Sequence, residues 1–167
     1  MSKIEPPNLF HLRAAIGWME LGNIPEALAE LDGIGAGLQL HPDVLEVRWM
    51  VIAHSADWDA ALVVAEKLLA AAPERSSSWL NRAYALRRVT RGSLQQAWEA
   101  LLPAHEKFPK DATVAFNLSC YACQLNRLDE ARSWYQRALQ LGGKDTVKAM
   151  ALADSDLEPL WEEIRGL

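Results

Sequence analysis

Cysteine, glycine and proline are all scarce in this sequence. Its 167 residues include 2 cysteines, 9 glycines and 8 prolines. Two cysteines cannot build the dense disulfide framework of a small secreted domain. The few glycines and prolines fall mostly at predicted turns, so no segment has the composition of a flexible linker. Hydrophobic residues make up 50% of the chain and charged residues 23%, which favours a single domain over residues 1–167 with a sizeable core.

Long apolar runs and an excess of positive charge are also missing. No apolar run approaches the roughly 20 residues that a membrane-spanning helix needs, and the first ten residues lack the apolar centre of a secretory signal. The net charge is −5, and no basic stripe of the kind that nucleic-acid-binding domains carry runs along the chain. We therefore expect a cytoplasmic protein whose partner is neither a membrane nor a nucleic acid.

The most informative stretch of the chain runs from Leu118 to Leu141, LSCYACQLNRLDEARSWYQRALQL. Apolar residues recur in it at helical spacing on both sides of Asn126, which can adopt the left-handed conformation that ends a helix. The second half contains Ala131 followed by Tyr135, at the same helical spacing. A small residue at such a place lets two helices approach closely, while larger residues fill the space beside it. The stretch therefore predicts two packed antiparallel helices.

The same pattern recurs upstream with a nearly constant period. Alanines that match Ala131 stand at successive spacings of 34, 36 and 34 residues, namely Ala27, Ala61, Ala97 and Ala131. A turn precedes each of these anchors, and the turns begin at Gly22, Ala56, Gly92 and Asn126. Four copies with matching turns and matching anchors are a far more specific signal than any single copy.

This repeat resembles the tetratricopeptide repeat, a pair of helices of about 34 residues, and the resemblance covers roughly residues 9–143. It implies an all-α solenoid of stacked antiparallel helix pairs that form a right-handed superhelix. The repeats would span about 9–42, 43–75, 76–110 and 111–143, followed by capping helices over 144–167. The first copy carries about three extra residues and the third about two, and the tryptophan of the family pattern appears only as Trp79.

The pattern also predicts the individual helices and their boundaries. Helices are expected near residues 9–21, 24–34, 43–55, 58–71, 78–89, 94–107, 112–125 and 128–141. Residues 1–8 are predicted to be a frayed or extended leader, because Pro6 and Pro7 disfavour a helix before them. Pro103 removes a backbone donor and is expected to kink or locally open the helix that contains it.

The C-terminal segment is predicted to cover the end of the array. Stacked repeats expose an apolar surface at their last copy, and a terminal element with one polar face must cover it. We expect a short helix, a turn at residues 154–156 and a last amphipathic helix with Asp156 as its N-cap. The apolar stripe of that last helix consists of Leu157, Leu160, Trp161 and Ile164.

The resemblance implies that the protein binds a peptide or a helix of a partner protein in a concave groove. The first helix of each pair lines that groove in the family, and we call the corresponding positions the groove face. Its candidate binding residues are Arg13, Met50, Leu80, Asn81, Tyr84, Arg88, Phe116 and Asn117. The lysines with which some family members grip a terminal carboxylate are replaced by Leu9, Asp43, Ser77 and Thr113, so that mode is not expected. An alternative is that Asn81 and Asn117 only solvate the helix surface.

Two other functions stay open at this point. Small tetratricopeptide proteins include chaperones of the secretion type, which hold an unfolded client. The spacing of Cys120 and Cys123 would suit a redox pair or half of a zinc site. However, a redox pair belongs at a helix N-terminus, a structural zinc site needs two further ligands, and the histidines share no motif spacing with them. We therefore expect no enzyme activity, no catalytic residue, no metal and no cofactor.

Overall fold

The computed structural model describes residues 3–166, and this part of the chain is helical throughout with no strand. The α-helices α1 to α10 span Asn8–Glu20, Ile24–Asp32, Pro42–His54, Trp58–Ala71, Ser76–Leu86, Leu94–Lys107, Ala112–Gln124, Leu128–Gly142, Lys144–Ala153 and Trp161–Gly166. Two 3₁₀ segments, Ala36–Leu38 and Ser155–Leu160, connect some of them. The prediction of an all-α fold built from successive helix pairs is confirmed.

The chain forms two compact units, one up to Thr90 and one from Arg91 onwards. The first unit contains α1 to α5 and the second contains α6 to α10. The single domain over residues 1–167 stays a prediction, and the two units are described separately below.

The leader of the first unit is better ordered than the sequence predicts. Ile4 is only 5% exposed and belongs to the same core cluster as Leu12, Leu31 and Val44. The chain turns directly from this segment into α1 at Asn8. Of the two predicted alternatives, the frayed leader is wrong from Ile4 onwards, because an apolar side chain that reaches the core gains free energy by leaving water. The extended alternative is not contradicted, since Ile4 and Glu5 belong to no helix. Met1 and Ser2 lie outside the described residues.

Three of the four repeated turns share a backbone conformation. Gly22, Ala56 and Asn126 have positive φ angles of 76°, 58° and 59°, which reverse the chain between the two helices of a pair. The residue after each turn residue often caps the next helix. The side chain of Asn23 accepts a hydrogen bond from the Glu26 N–H in this way, and Ser93 and Asp57 play the same role in other copies.

The alanine anchors lie where paired helices meet. All four, Ala27, Ala61, Ala97 and Ala131, have no exposed surface. In the second unit the approach is close enough for the buried hydroxyl of Ser119 on α7 to donate a hydrogen bond of 2.9 Å to the Ala131 carbonyl on α8. The four anchors are therefore buried, as expected of small residues that let two helices approach closely, while the bounds of the repeats stay a prediction.

Helix α6 of the second unit runs without interruption through Pro103. The proline ring is exposed, and proline itself has no backbone N–H to donate. Of the two predicted alternatives, the local opening of this helix is therefore wrong, and the kink stays a prediction.

The C-terminal segment departs from the prediction in its details. Asp154, rather than Asp156, is the capping residue, because its carboxylate accepts a hydrogen bond of 2.9 Å from the Asp156 N–H. The chain then follows a 3₁₀ path to Leu160 and becomes α-helical only at Trp161. The predicted apolar stripe is nevertheless buried at three of its four positions, with Leu157, Leu160 and Ile164 at most 2% exposed.

Candidate protein-binding face

The exposed apolar side chains of the groove face lie in the first unit, on α3 and α5. Met50 on α3 is 40% exposed and Tyr84 on α5 is 37% exposed, which is unusual for large apolar side chains. Leu80 and Asn81, about one turn before Tyr84 on α5, are half-buried. Four of the eight predicted binding residues therefore lie on these two helices at positions that a ligand can reach.

Tyr84 is the centre of an aromatic cluster, which we define as Trp49, Trp58, Tyr84 and Arg88. The ring of Tyr84 lies edge-on to Trp49, with 6.1 Å between ring centroids, and 5.7 Å from Trp58. The Arg88 guanidinium carbon is 3.4 Å from the centroid of the Tyr84 ring and 5.1 Å from that of Trp58. This stacking holds a cation and two aromatic faces in a fixed arrangement at the surface.

Sequence reasoning missed Trp49 and Trp58, although a signal for Trp49 was present. Its equivalents in the other copies are small and fully buried, namely Ala15, Ala83 and Ser119. A tryptophan cannot fit between closely packed helices as an alanine does, so Trp49 is only half-buried. Its indole N–H is nevertheless shielded and has no acceptor among residues 3–166. Trp49 is thus a bulky residue at a repeat position that is small in the other three copies, and this difference is visible in the sequence.

The remaining predicted residue of the first unit, Arg13, is exposed on α1. Of the two predicted residues of the second unit, Asn117 is half-buried and its amide donates a hydrogen bond of 2.9 Å to the Thr113 carbonyl of its own helix. This bond agrees with the alternative interpretation, in which the Asn117 side chain interacts with its own helix and not with a ligand.

Phe116 lies in the second unit and is only 6% exposed. It lines a pocket of about 190 Å³ together with side chains of α9, among them Val147 and the exposed Met150. The groove face of α7 is therefore largely covered by the C-terminal segment.

The C-terminal segment is attached to α7 and α8 by polar contacts as well. The amide of Gln124 donates a hydrogen bond of 3.0 Å to the Asp156 carbonyl. Arg132 on α8 contacts both carboxylate oxygens of Glu163 at 2.8 and 2.6 Å. This hydrogen bonding lowers the pKa of Glu163 below its usual range, which means that the ionised form favours the attached arrangement.

The two cysteines lie under this attached segment. Cys120 is 2% exposed and Cys123 is 4% exposed. Burial raises the pKa of the Cys123 thiol, and the nearby Asp156 carboxylate raises it further. A redox or nucleophilic cysteine needs the opposite shift, because the thiolate is the reactive form.

Cys120 also lies near two carboxylates. Its Sγ atom is 3.5 Å from Asp154 Oδ2, and ligand atoms of Cys120, Asp154 and Asp156 lie within 4.8 Å of one another. A structural zinc site takes four protein ligands, usually thiolates and imidazoles. This group has three possible ligands, and no further histidine, cysteine, aspartate or glutamate belongs to it in the part of the chain that the structure describes.

No helix formed within residues 3–166 combines the length and the apolar character that crossing a membrane requires.

Comparison with known proteins gives matches of structure only. Neither a protein-family model nor a curated protein sequence matches this chain. Among solved structures, MamA residues 41 to the end from Desulfovibrio magneticus RS-1 aligns with a TM-score of 0.69 at 17% identity, covering 99% of this chain and 97% of that one. The thermophilic TPR protein TTC0263 from Thermus thermophilus aligns with a TM-score of 0.66 at 19% identity, covering 96% of this chain and all of that one (100%). The chain therefore has the helical-repeat fold of tetratricopeptide proteins.

Proposed function

We propose that the protein is a non-catalytic interaction scaffold, and that the groove face of its first unit binds a peptide or a helix of a partner protein. The observation that supports this most strongly is the aromatic cluster, which presents Tyr84 and Arg88 at the surface close to the exposed Met50. Tyrosine, tryptophan and arginine dominate the binding energy of protein interfaces. A tryptophan at the position of Trp49 is not needed to hold a helix pair together, since its equivalents Ala15, Ala83 and Ser119 are small.

The geometry of the cluster suits binding for an entropic reason. An exposed arginine normally loses rotamer freedom when it meets a partner, which weakens the complex. Arg88 is already stacked between Tyr84 and Trp58, and its guanidinium donates to the Tyr84 carbonyl at 3.1 Å. A partner segment would therefore meet a surface whose side chains are ordered in advance.

The ligand would be recognised mainly by apolar contacts. Met50, Leu80 and Tyr84 would accept apolar side chains, while Asn81 and Arg88 would bond to the ligand's backbone and set its register. In the second unit, Asn117 and the pocket beside Phe116 would form a smaller, separate contact. Arg13 on α1 is a peripheral candidate.

The experiment is a selection of peptides from a displayed random library on the wild-type protein, followed by calorimetric titration of the best peptide. Met50→Ala and Tyr84→Ala should each weaken binding about tenfold or more. Val63→Ala is the matched control, because Val63 is 52% exposed on α4, away from the groove face. Added salt should change the affinity little, since apolar contacts are not screened.

Two outcomes would contradict the proposal. Unchanged affinity in both variants, with binding lost in Val63→Ala, would place the ligand on another face. Selection of many unrelated apolar peptides without a common motif would instead indicate a client-holding chaperone. A melting curve of each variant shows whether the fold has survived.

A further inference from the structure

Helix α1 carries an apolar face that no other element covers within residues 3–166. Phe10 is 61% exposed, Trp18 36% and Leu21, directly after the helix, 78%. With 3.6 residues per turn, Phe10, Trp18 and Leu21 share one side of α1 with Ala14 and Gly17. We call these five residues the α1 outer face. A Cβ atom built on Gly17 would have no neighbour within 4 Å, so the centre of this face is open to close approach.

The equivalent positions in the next repeat show that a face of this kind packs against another helix pair. The residues 34 positions after Phe10 and Gly17 are Val44 and Val51 on α3, and both have no exposed surface. They are buried in the core cluster that also contains residues of α1 and α2. The face that α3 uses to stack on the preceding helix pair is therefore the same face that α1 leaves uncovered.

Two opposite charges flank the α1 outer face on the same side. Arg13 and Glu20 are seven residues apart, which is almost two full turns, so their side chains leave the helix in nearly the same direction. Both are exposed, and neither forms an ion pair in the described part of the chain. A partner helix would have to offer a negative group near one end of this flank and a positive group near the other.

A second copy of α1 meets this requirement, and we propose that the protein forms a dimer in which the two α1 outer faces pack antiparallel about a two-fold axis. Such an axis beside Gly17 brings Arg13 of each copy next to Glu20 of the other, since a two-fold interface repeats each contact with the two copies exchanged. It also places Phe10 of one copy opposite Leu21 of the other. In both pairs, Arg13 with Glu20 and Phe10 with Leu21, the two residues lie at the same level along the helix axis to within about one residue, or roughly 1.5 Å. Gly17 lies at the crossing, where two backbones need the most room.

The antiparallel arrangement is selected by charge. In a parallel two-fold pair, the flank that carries Arg13 and Glu20 in one copy lies on the opposite side of the seam from the same flank of the other copy, so neither residue meets its opposite charge. Only the antiparallel pair brings Arg13 of one copy next to Glu20 of the other, and it does so twice in each dimer. The same helix therefore determines both the partner and its direction.

The test measures the mass of the full chain by sedimentation velocity over a wide range of concentration. Wild type should dimerise, and Arg13→Glu or Glu20→Arg alone should weaken dimerisation about tenfold or more, because each places two like-charged pairs in the interface. An equimolar mixture of the two variants should form a heterodimer, and the double variant should form a homodimer again, because each restores the pairing of opposite charges. Gly17→Leu favours the helix itself but blocks close approach, so it should remain folded and monomeric.

The proposal fails if the wild type is monomeric at every concentration. It also fails if a dimer persists unchanged in both charge variants, because the interface would then lie elsewhere. Gly17→Leu should bind the selected peptide as tightly as wild type, so that loss of the dimer and failure of the groove proposal are distinguishable.

Discussion

The groove face is open in the first unit and largely covered in the second, although both follow the same repeat. Met50, Tyr84 and Cys120 occupy equivalent positions on α3, α5 and α7, and their exposed fractions are 40%, 37% and 2%. The helices that carry them were all predicted from the sequence, to within three residues at each end. The difference between them therefore does not come from the helices themselves.

The difference comes from the chain segment that succeeds each helix pair. In the second unit, the chain continues into α9, the 3₁₀ segment and α10, and the 3₁₀ segment places Leu157 in the core with no exposed surface. Polar contacts from Cys120 and Gln124 to Asp154 and Asp156 attach the segment to α7. The comparison teaches that repeat register fixes the direction in which a side chain points, whereas the neighbouring segment decides whether that side chain is available to a partner.

Removal of the covering segment should have the largest effect on this contrast. Deletion of residues 157–167 removes Leu157, Leu160 and Ile164 from the core, and each buried apolar side chain contributes about 1.5–3 kcal/mol. We expect a loss of roughly 5 kcal/mol of unfolding free energy and a strong tendency to aggregate. Ellman's reagent should then react quickly with Cys120 and Cys123, which are protected in the full chain.

A point variant separates this effect from simple truncation. Leu157→Ala should cost about 2–5 kcal/mol and increase thiol reactivity in part. Leu102→Ala is the matched control, because Leu102 is 40% exposed on α6 and its truncation should change little. Slow thiol reaction in the deleted protein would show that the segment is an independent appendage.

Truncation of one aromatic ring in each unit should show the contrast in stability. Phe116→Ala removes a buried ring and should cost about 3–5 kcal/mol in urea unfolding. Tyr84→Ala should cost only about 1–2 kcal/mol, because its ring is partly exposed and loses mainly the contacts of the aromatic cluster. Equal losses for the two variants would mean that Tyr84 is a core residue and not a binding residue.

The smallest expected effect concerns the turns, which the two units share. Ala56 has a φ of 58°, and a left-handed conformation costs a residue with a Cβ about 1–2 kcal/mol. Ala56→Gly should therefore stabilise the protein by up to about 1 kcal/mol, after the greater flexibility of glycine in the unfolded chain is deducted. Asn126→Gly is the control in the second unit, since asparagine tolerates this conformation and little should change. A destabilised Ala56→Gly protein would contradict the assignment of the turn.

Local patterns in the sequence were enough to determine the helices and their pairing. The periodic alanines and turns predicted α4 at Trp58–Ala71 and α6 at Leu94–Lys107 with the boundaries that the structure has. The other paired helices differ from their predictions by a few residues at their ends. This succeeds because helix formation, chain reversal and close helix packing depend on residues within one repeat, where spacing along the chain corresponds directly to position in space.

The tertiary structure alone decided which of these helix faces are available. Ile4 in the core, the aromatic cluster around Tyr84 and the covered Phe116 all involve contacts between residues that are distant in the sequence. Their burial depends on how a leader or a C-terminal segment folds back, and no local spacing encodes that path. The sequence by itself therefore determined a tetratricopeptide-like array and the direction of its side chains, while long-range packing determined which of them can meet a partner, because exposure is a property of the neighbours and not of the residue.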